Sequence, residues 1–238
     1  MAPTIILVRH GQAEHNATGN EALLDPSLTS EGRSQCLDLR HRIMYEFPLA
    51  TEIEAIISSP ATRAIETALL GFDWALLPGQ KVEVNDLWQE TSDKPCDTCS
   101  EVSELKTKFP SVDLAALRDT FPAKRQASLF AFTKTAVLTR GQMALREIYS
   151  RPEKAIVVVS HLGFLMTAVC HRRFANADFR VFDFAPDQGS LWLMERDATA
   201  YGGGMGRSGT GEYVIKPDDF PPEPGMYQDG KEVVRQVS

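Results

Sequence analysis

The 238-residue chain has no apolar run long enough to span a bilayer, only four cysteines and no surplus of positive charge. The first absence excludes a transmembrane helix. The 25 lysines and arginines are outnumbered by 32 aspartates and glutamates, giving a net charge of -7. That balance argues against nonspecific binding to nucleic acid or to an anionic membrane, since both need a basic face. It leaves an anionic small molecule open, because a few clustered arginines set the local field. No basic segment precedes the first apolar run, so the N-terminus does not read as a signal peptide and a cytoplasmic location is expected. Of the cysteines, Cys96 and Cys99 have metal-like or redox-like spacing, but no further ligands lie nearby to complete a zinc site. Nor does the pair open a helix after a strand, as a redox motif would. They read as reduced cysteines in a polar loop. No internal repeat is present.

What is there alternates strand with helix. Thr4, Ile5, Ile6, Leu7 and Val8 form a continuous β-branched run, the mark of a strand buried on both faces. Ser30 reads as an N-cap opening a helix to about residue 45. Residues 53–57 are a second strand, followed by Ser59-Pro60 as cap and first turn of another helix ending near Gly71. Residues 81–84 are a third strand. Residues 91–125 are polar and irregular, the composition of a lid or substrate loop. A long helix is expected over 126–149, the strongest strand over 155–159, and a helix from His161 to Cys170. Two edge strands, 179–184 and 190–195, follow. The pattern predicts an α/β three-layer sandwich, a mostly parallel sheet with helices on both faces, over residues 1–200. Residues 201–238, rich first in Gly and then in Pro and acidic residues, read as a flexible segment and tail.

In an open α/β sheet the carboxyl ends of the strands form the ligand crevice. Arg9 and His10 close the first strand, Arg63 lies in the first turn of the helix after the second, Glu90 lies beyond the third, and His161 follows the fourth. Arginine forks match phosphate oxygens, and helix starts at Ser59-Pro60 and after His161 would add N–H donors. Neighbouring positive charge keeps an imidazole neutral, and a neutral imidazole facing a phosphoryl group is a nucleophile. Gly11 would let phosphate approach closely. Glu90, its pKa raised beside a phosphate dianion, would protonate the leaving oxygen. Asn16 is placed to donate to a phosphate oxygen. His15, His41 and His171 read as surface residues.

Val8-Arg9-His10-Gly11 with Asn16, Leu28-Thr29-x-x-Gly32, Ser58-Ser59-Pro60-x-x-Arg63-x-x-x-Thr67, Glu90, and Ser160-His161-x-Gly163 together resemble the histidine phosphatase, or phosphoglycerate-mutase-like, superfamily, across roughly residues 4–195. The resemblance implies that His10 is phosphorylated as the nucleophile. It makes Arg9, Arg63 and His161 the phosphate clamp with Asn16 assisting, and Glu90 the proton donor. No metal or other cofactor is implied, and the partner is a small phosphorylated substrate. Leu162 is counted among the phosphate-binding positions, although many phosphatases of that family carry Gly there. Mutases of the family follow the Glu with residues that grip a carboxylate; here Glu90 precedes Thr91-Ser92-Asp93, which favours hydrolysis. A mutase, and a protein that binds phosphate without turnover or reuses the fold for non-phosphate chemistry, are the alternatives.

Overall fold

The computed structural model describes residues 2–124, 128–187 and 189–223, together with the backbone of 227–228 and 231–232. Its centre is a six-stranded sheet. The first strand, β1 (Thr4–Arg9), is followed by the short helix α1 (Glu14–Thr18) and by α2 (Ser30–Glu46). Then come β2 (Ile53–Ser58), α3 (Thr62–Phe72), β3 (Glu83–Val84) and α4 (Val102–Lys108). The chain continues with α5 (Lys134–Tyr149), β4 (Ala155–Ser160), one α turn α6 (Leu162–Phe164) running into a π turn (Leu165–Val169), β5 (Phe179–Asp187) and β6 (Ser190–Glu195). The strand order is β3-β2-β4-β1-β5-β6. The first four of these pair in parallel, and β5 and β6 add antiparallel to one edge.

The expected α/β sandwich is present, and its cause is visible residue by residue. In β4 every residue is buried, and in β1 all but Arg9, because Val and Ile on both faces meet helices on both sides. One apolar cluster packs α2 and α3 against Ile6, Val8, Val157 and Val159; the other packs α5 and the 162–169 turns against Ile5, Leu7, Ile156 and Val158. Successive residues of the same strands therefore feed opposite layers.

Three starts differ from expectation. Thr29 rather than Ser30 caps α2, its hydroxyl accepting from the Gly32 N–H at 3.0 Å. Ser59-Pro60 does not open α3, which begins at Thr62; Asp25 takes the Thr62 N–H at 2.9 Å and its hydroxyl at 2.8 Å, a partner no local pattern announces. The fifth helix begins at Lys134, capped by Thr133, and Gln126 lies outside the described residues. The segment 91–124 holds one helix, α4, and turns. Arg125, and residues 224–226, 229–230 and 233–238 of the expected tail, lie outside the described residues. The glycine-rich run packs on the domain: buried Asp178 accepts from Met205 N, Arg207 N and the Ser208 hydroxyl. Gly202, Gly203, Gly206 and Gly211 take positive φ, so glycine there shapes a wrap around one carboxylate.

Strand register positions the site. Arg9 pairs with Ser160, and His10 N–H donates to Ser160 O at 3.0 Å. Ser58 pairs with Val159, and Ser59 N–H donates to Val159 O at 2.9 Å. The ends of β1, β4 and β2 are thereby level, and the residues just beyond them emerge together.

Candidate active site

The side chains that follow those strand ends meet. The His10 and His161 rings lie 5.1 Å apart, centroid to centroid. Arg63, 1% exposed, reaches between them: its Nε–H donates to His10 Nε2 at 3.2 Å, and Nη2 lies 3.1 Å from His161 Nδ1. His10 Nδ1 is 2.7 Å from the Gly11 carbonyl. A carbonyl only accepts, so Nδ1 carries the proton and Nε2 presents its lone pair. By the same logic His161 Nδ1 accepts from Arg63, and its Nε2–H donates to the Ser59 hydroxyl at 2.7 Å. Both imidazoles take tautomers set by groups with a single role, the Gly11 carbonyl for His10 and the Arg63 guanidinium for His161, and the Ser59 hydroxyl, which can donate or accept, follows.

Both are also held neutral. The His10 and His161 pKa values lie well below the ordinary imidazole value, first because burial removes them from water and second because Arg63 is adjacent. Burial, ahead of the arginine field invoked from sequence, is the larger cause. Arg9 donates from Nη1 to Phe174 O at 2.9 Å, and its buried Nε has no hydrogen-bond partner among the described residues. Burial lowers Arg9 to about 10, which still leaves it charged at neutral pH.

Glu90 is the third candidate group. Its carboxylate accepts from the backbone N–H groups of Thr91 (2.8 Å), Gly163 (3.0 Å) and Phe164 (2.8 Å). Burial raises its pKa, with neighbouring Asp97 the next cause, before any phosphate is bound. Gly163 is required by this contact: a Cβ there would sit 2.5 Å from Glu90 Oε1. Buried Arg140 of α5 secures the backbone of the same loop, donating to the carbonyls of Leu87 (3.2 Å), Gln89 (2.5 Å) and Glu90 (3.2 Å). Lys124 Nζ donates to Glu90 O at 2.9 Å and Ser92 O at 2.6 Å.

Several sequence expectations change here. The N–H donors assigned to phosphate at the two helix starts are engaged by carboxylates, Asp25 before α3 and Glu90 before the 162–169 turns. Gly11 is not spared a side chain for phosphate; a Cβ would strike Gly32 O at 2.7 Å and Cys36 Sγ at 2.9 Å, so it is the packing of α2 that demands glycine. Asn16 is exposed, with its amide spent on His15 Nε2, the Ala13 N–H and Asn176. Leu162 is partly buried and lines a cavity beside the site.

Three residues were missed. His15, expected at the surface, is partly buried with its ring 6.2 Å from that of His10; burial and then Arg63 lower its pKa to about 4. Its buried Nδ1 has no hydrogen-bond partner among the described residues. Asp97 pairs with Arg63 Nη2 at 3.0 Å and accepts from the Ser92 hydroxyl at 2.6 Å. Arg140 lies in the middle of an amphipathic helix, where sequence shows only one more cation. The short His10–His15 spacing was a usable signal for the first; nothing local marks the other two. Cys96 and Cys99 are buried, and burial pushes the first to about 11 and the second well above the ordinary thiol value.

Residues 5–200 match the family model of the histidine phosphatase superfamily, branch 1. A Schizosaccharomyces pombe protein named as a probable phosphatase is 35% identical over 164 residues, 66% of this chain and 73% of that one. An Arabidopsis thaliana phosphoglycerate mutase-like protein is 29% identical over 201 residues, 68% of this chain and 72% of that one. Among solved structures, a mycobacterial glucosyl-3-phosphoglycerate phosphatase superposes over 82% of this chain and 97% of its own with a TM-score of 0.51, at 18% identity.

Proposed function

The chain belongs to the histidine phosphatase superfamily, branch 1, and from that premise we propose that it hydrolyses a phosphate monoester without a metal ion, through a phosphohistidine on His10. One observation carries the reading: His10 is held with Nδ1–H on the Gly11 carbonyl and an unprotonated Nε2 facing Arg63. A nucleophile must present a lone pair where the phosphorus arrives, and this ring has only that nitrogen to offer.

Three groups bring positive charge or donors to the phosphoryl oxygens. Arg63 and Arg9 surround His10, and His15 and Arg9 contribute the buried Nδ1 and Nε that have no partner among the described residues. Leaving a buried donor unpaired costs about 1–3 kcal/mol each, and an anion between them repays that cost. Attack by His10 Nε2 forms the N–P bond and breaks the P–O bond to the leaving group. Glu90, whose pKa burial raises, gives a proton to the departing oxygen. Its carboxylate then takes a proton from water, whose oxygen attacks phosphorus, breaks the N–P bond and frees inorganic phosphate. Guanidinium groups supply the charge stabilisation for which other phosphatases use metal ions.

Rapid acid-free quench with ³²P-labelled ester tests the scheme. The expected result is a phosphoenzyme that is acid-labile and base-stable and is lost in His10→Ala. A His10→Ala protein that hydrolyses at the parental rate overturns the scheme. Incubation with 3-phosphoglycerate and a bisphosphoglycerate primer checks the mutase reading; isomerisation faster than phosphate release would put it first.

A further inference from the structure

Next to the site lies a cavity of about 440 Å³ with a different chemical character. Its apolar wall is Leu162, Met166 and Phe174, and its rim is Arg173, Arg207 and Lys216. Among the described residues no carboxylate lines it. It is joined to the reacting groups by the backbone itself. Leu162 follows His161, Phe174 O accepts from Arg9, and Asn176, two residues on, donates to His10 O at 3.1 Å.

The cations of the rim are unequally occupied. Arg207 is shared with Asp38 at 3.3 Å. Arg173 and Lys216 are exposed and have no ion-pair partner among the described residues. The Arg173 guanidinium lies 5.0 Å from the centre of the Tyr213 ring, which restrains it at the mouth. A transferred phosphoryl group is served by Arg9, Arg63 and the histidines and has no use for this chamber. Its volume lies within the roughly 300–1,000 Å³ usual for small-molecule pockets, which combine apolar walls with a few charged groups.

We propose that this cavity is the leaving-group subsite, and that the substrate is a phosphate ester whose leaving group has an apolar or aromatic body and a second anionic group, a carboxylate or another phosphate. The apolar body rests on Leu162, Met166 and Phe174, and the second anion pairs with Arg173 and Lys216. Leu162, where glycine is common in the family, then has a reason: it furnishes the wall nearest His161. The proposal rests on the phosphatase reading of the adjoining site.

The test compares kcat/KM for phenyl phosphate, 4-carboxyphenyl phosphate and 1,4-phenylene bisphosphate at fixed ionic strength. The second anion is expected to raise kcat/KM on the order of tenfold, the worth of one charge-assisted hydrogen bond, and the two anionic esters report which group is preferred. Arg173→Ala and Lys216→Ala are each expected to lower that preference ratio, and Lys81→Ala, at the other end of the sheet, to leave it unchanged. Equal rates on all three esters, or a preference untouched by both rim variants, overturns the proposal. Calorimetric titration of the His10→Ala protein with benzylphosphonate and 4-carboxybenzylphosphonate separates the two readings. A binding preference for the second, with no turnover of any ester by the parental protein, sinks the phosphatase reading alone. Turnover without any preference sinks the subsite alone.

Discussion

His10 and Glu90 are shifted in opposite directions by the same cause, removal from water. The proposed mechanism uses the first neutral and the second protonated, so the pH dependence has a sign. The kcat/KM profile is expected to show no decline as pH falls through 6.5, where an ordinary imidazole would titrate, and to fall on the alkaline side as Glu90 ionises. An acid limb centred at 6.5 would contradict the account. Asp97 sharpens it, because its charge helps to raise Glu90 and occupies Arg63. Asp97→Asn is expected to move the alkaline limb to lower pH and to tighten inhibition by inorganic phosphate, both readable from initial rates. Gly163→Ala pushes a methyl into Glu90 Oε1. It should lower kcat about a hundredfold on alkyl phosphates, which need the acid, and much less on p-nitrophenyl phosphate, whose leaving group does not.

At the level of elements, the register of β1, β4 and β2 brings the histidines together, and α5 holds the Glu90 loop beside them. Gly141 allows the close approach that this needs: a Cβ there would meet Ala168 O at 2.2 Å. Beside it, buried Arg140 stacks 4.2 Å from the Phe164 ring centre and satisfies three carbonyls of the Glu90 loop. Arg140→Met keeps the apolar stem and removes the donors. It is expected to cost about 3 kcal/mol of stability, since buried carbonyls lose their partners. A thermal or denaturant unfolding curve measures the loss, and a kcat deficit that persists well below the melting point would mark the positioning role. Arg140→Lys, a single point donor in place of a fork, should recover only part of either.

Across the whole molecule the depressed histidines link folding to acidity. His10, His161 and His15 bind protons less readily folded than unfolded. Above pH 6.5 they cost nothing. As pH falls below 6.5 the unfolded chain gains protons that the folded one refuses, and stability is lost; for His15 that loss extends to about pH 4, where the folded form titrates. Glu90 acts in the opposite sense, since its raised pKa favours the folded state as it protonates. His171 is lowered as well, so four histidines lose stability from pH 6.5 downward and outnumber the two carboxyls that burial shifts upward, Glu90 and Asp86. The melting temperature is therefore expected to fall between pH 7 and 5, with a shallower slope in His161→Gln. Parallel slopes for the two proteins in scanning calorimetry would sink the linkage to His161.

The architecture and five residues of the candidate site were legible along the chain. β-branched runs at residues 4–8 and 155–159 can be stable only between two helical layers, and Arg9, His10, Arg63, Glu90 and His161 follow strand ends, so topology alone sends them to one rim. Their local signals are periodicity and punctuation, which depend on neighbours in the chain. Tertiary structure decided what each residue meets there. Asp25 caps α3 from 37 residues away, Arg140 grips a loop 50 residues earlier, Asp97 shares Arg63, and Gly11 yields to Gly32 and Cys36. Such pairings depend on distances set only after the sheet has closed, so no pattern along the chain encodes them. The same holds for the electrostatics: charge near His10 was legible, but burial, its larger effect, exists only in the folded molecule.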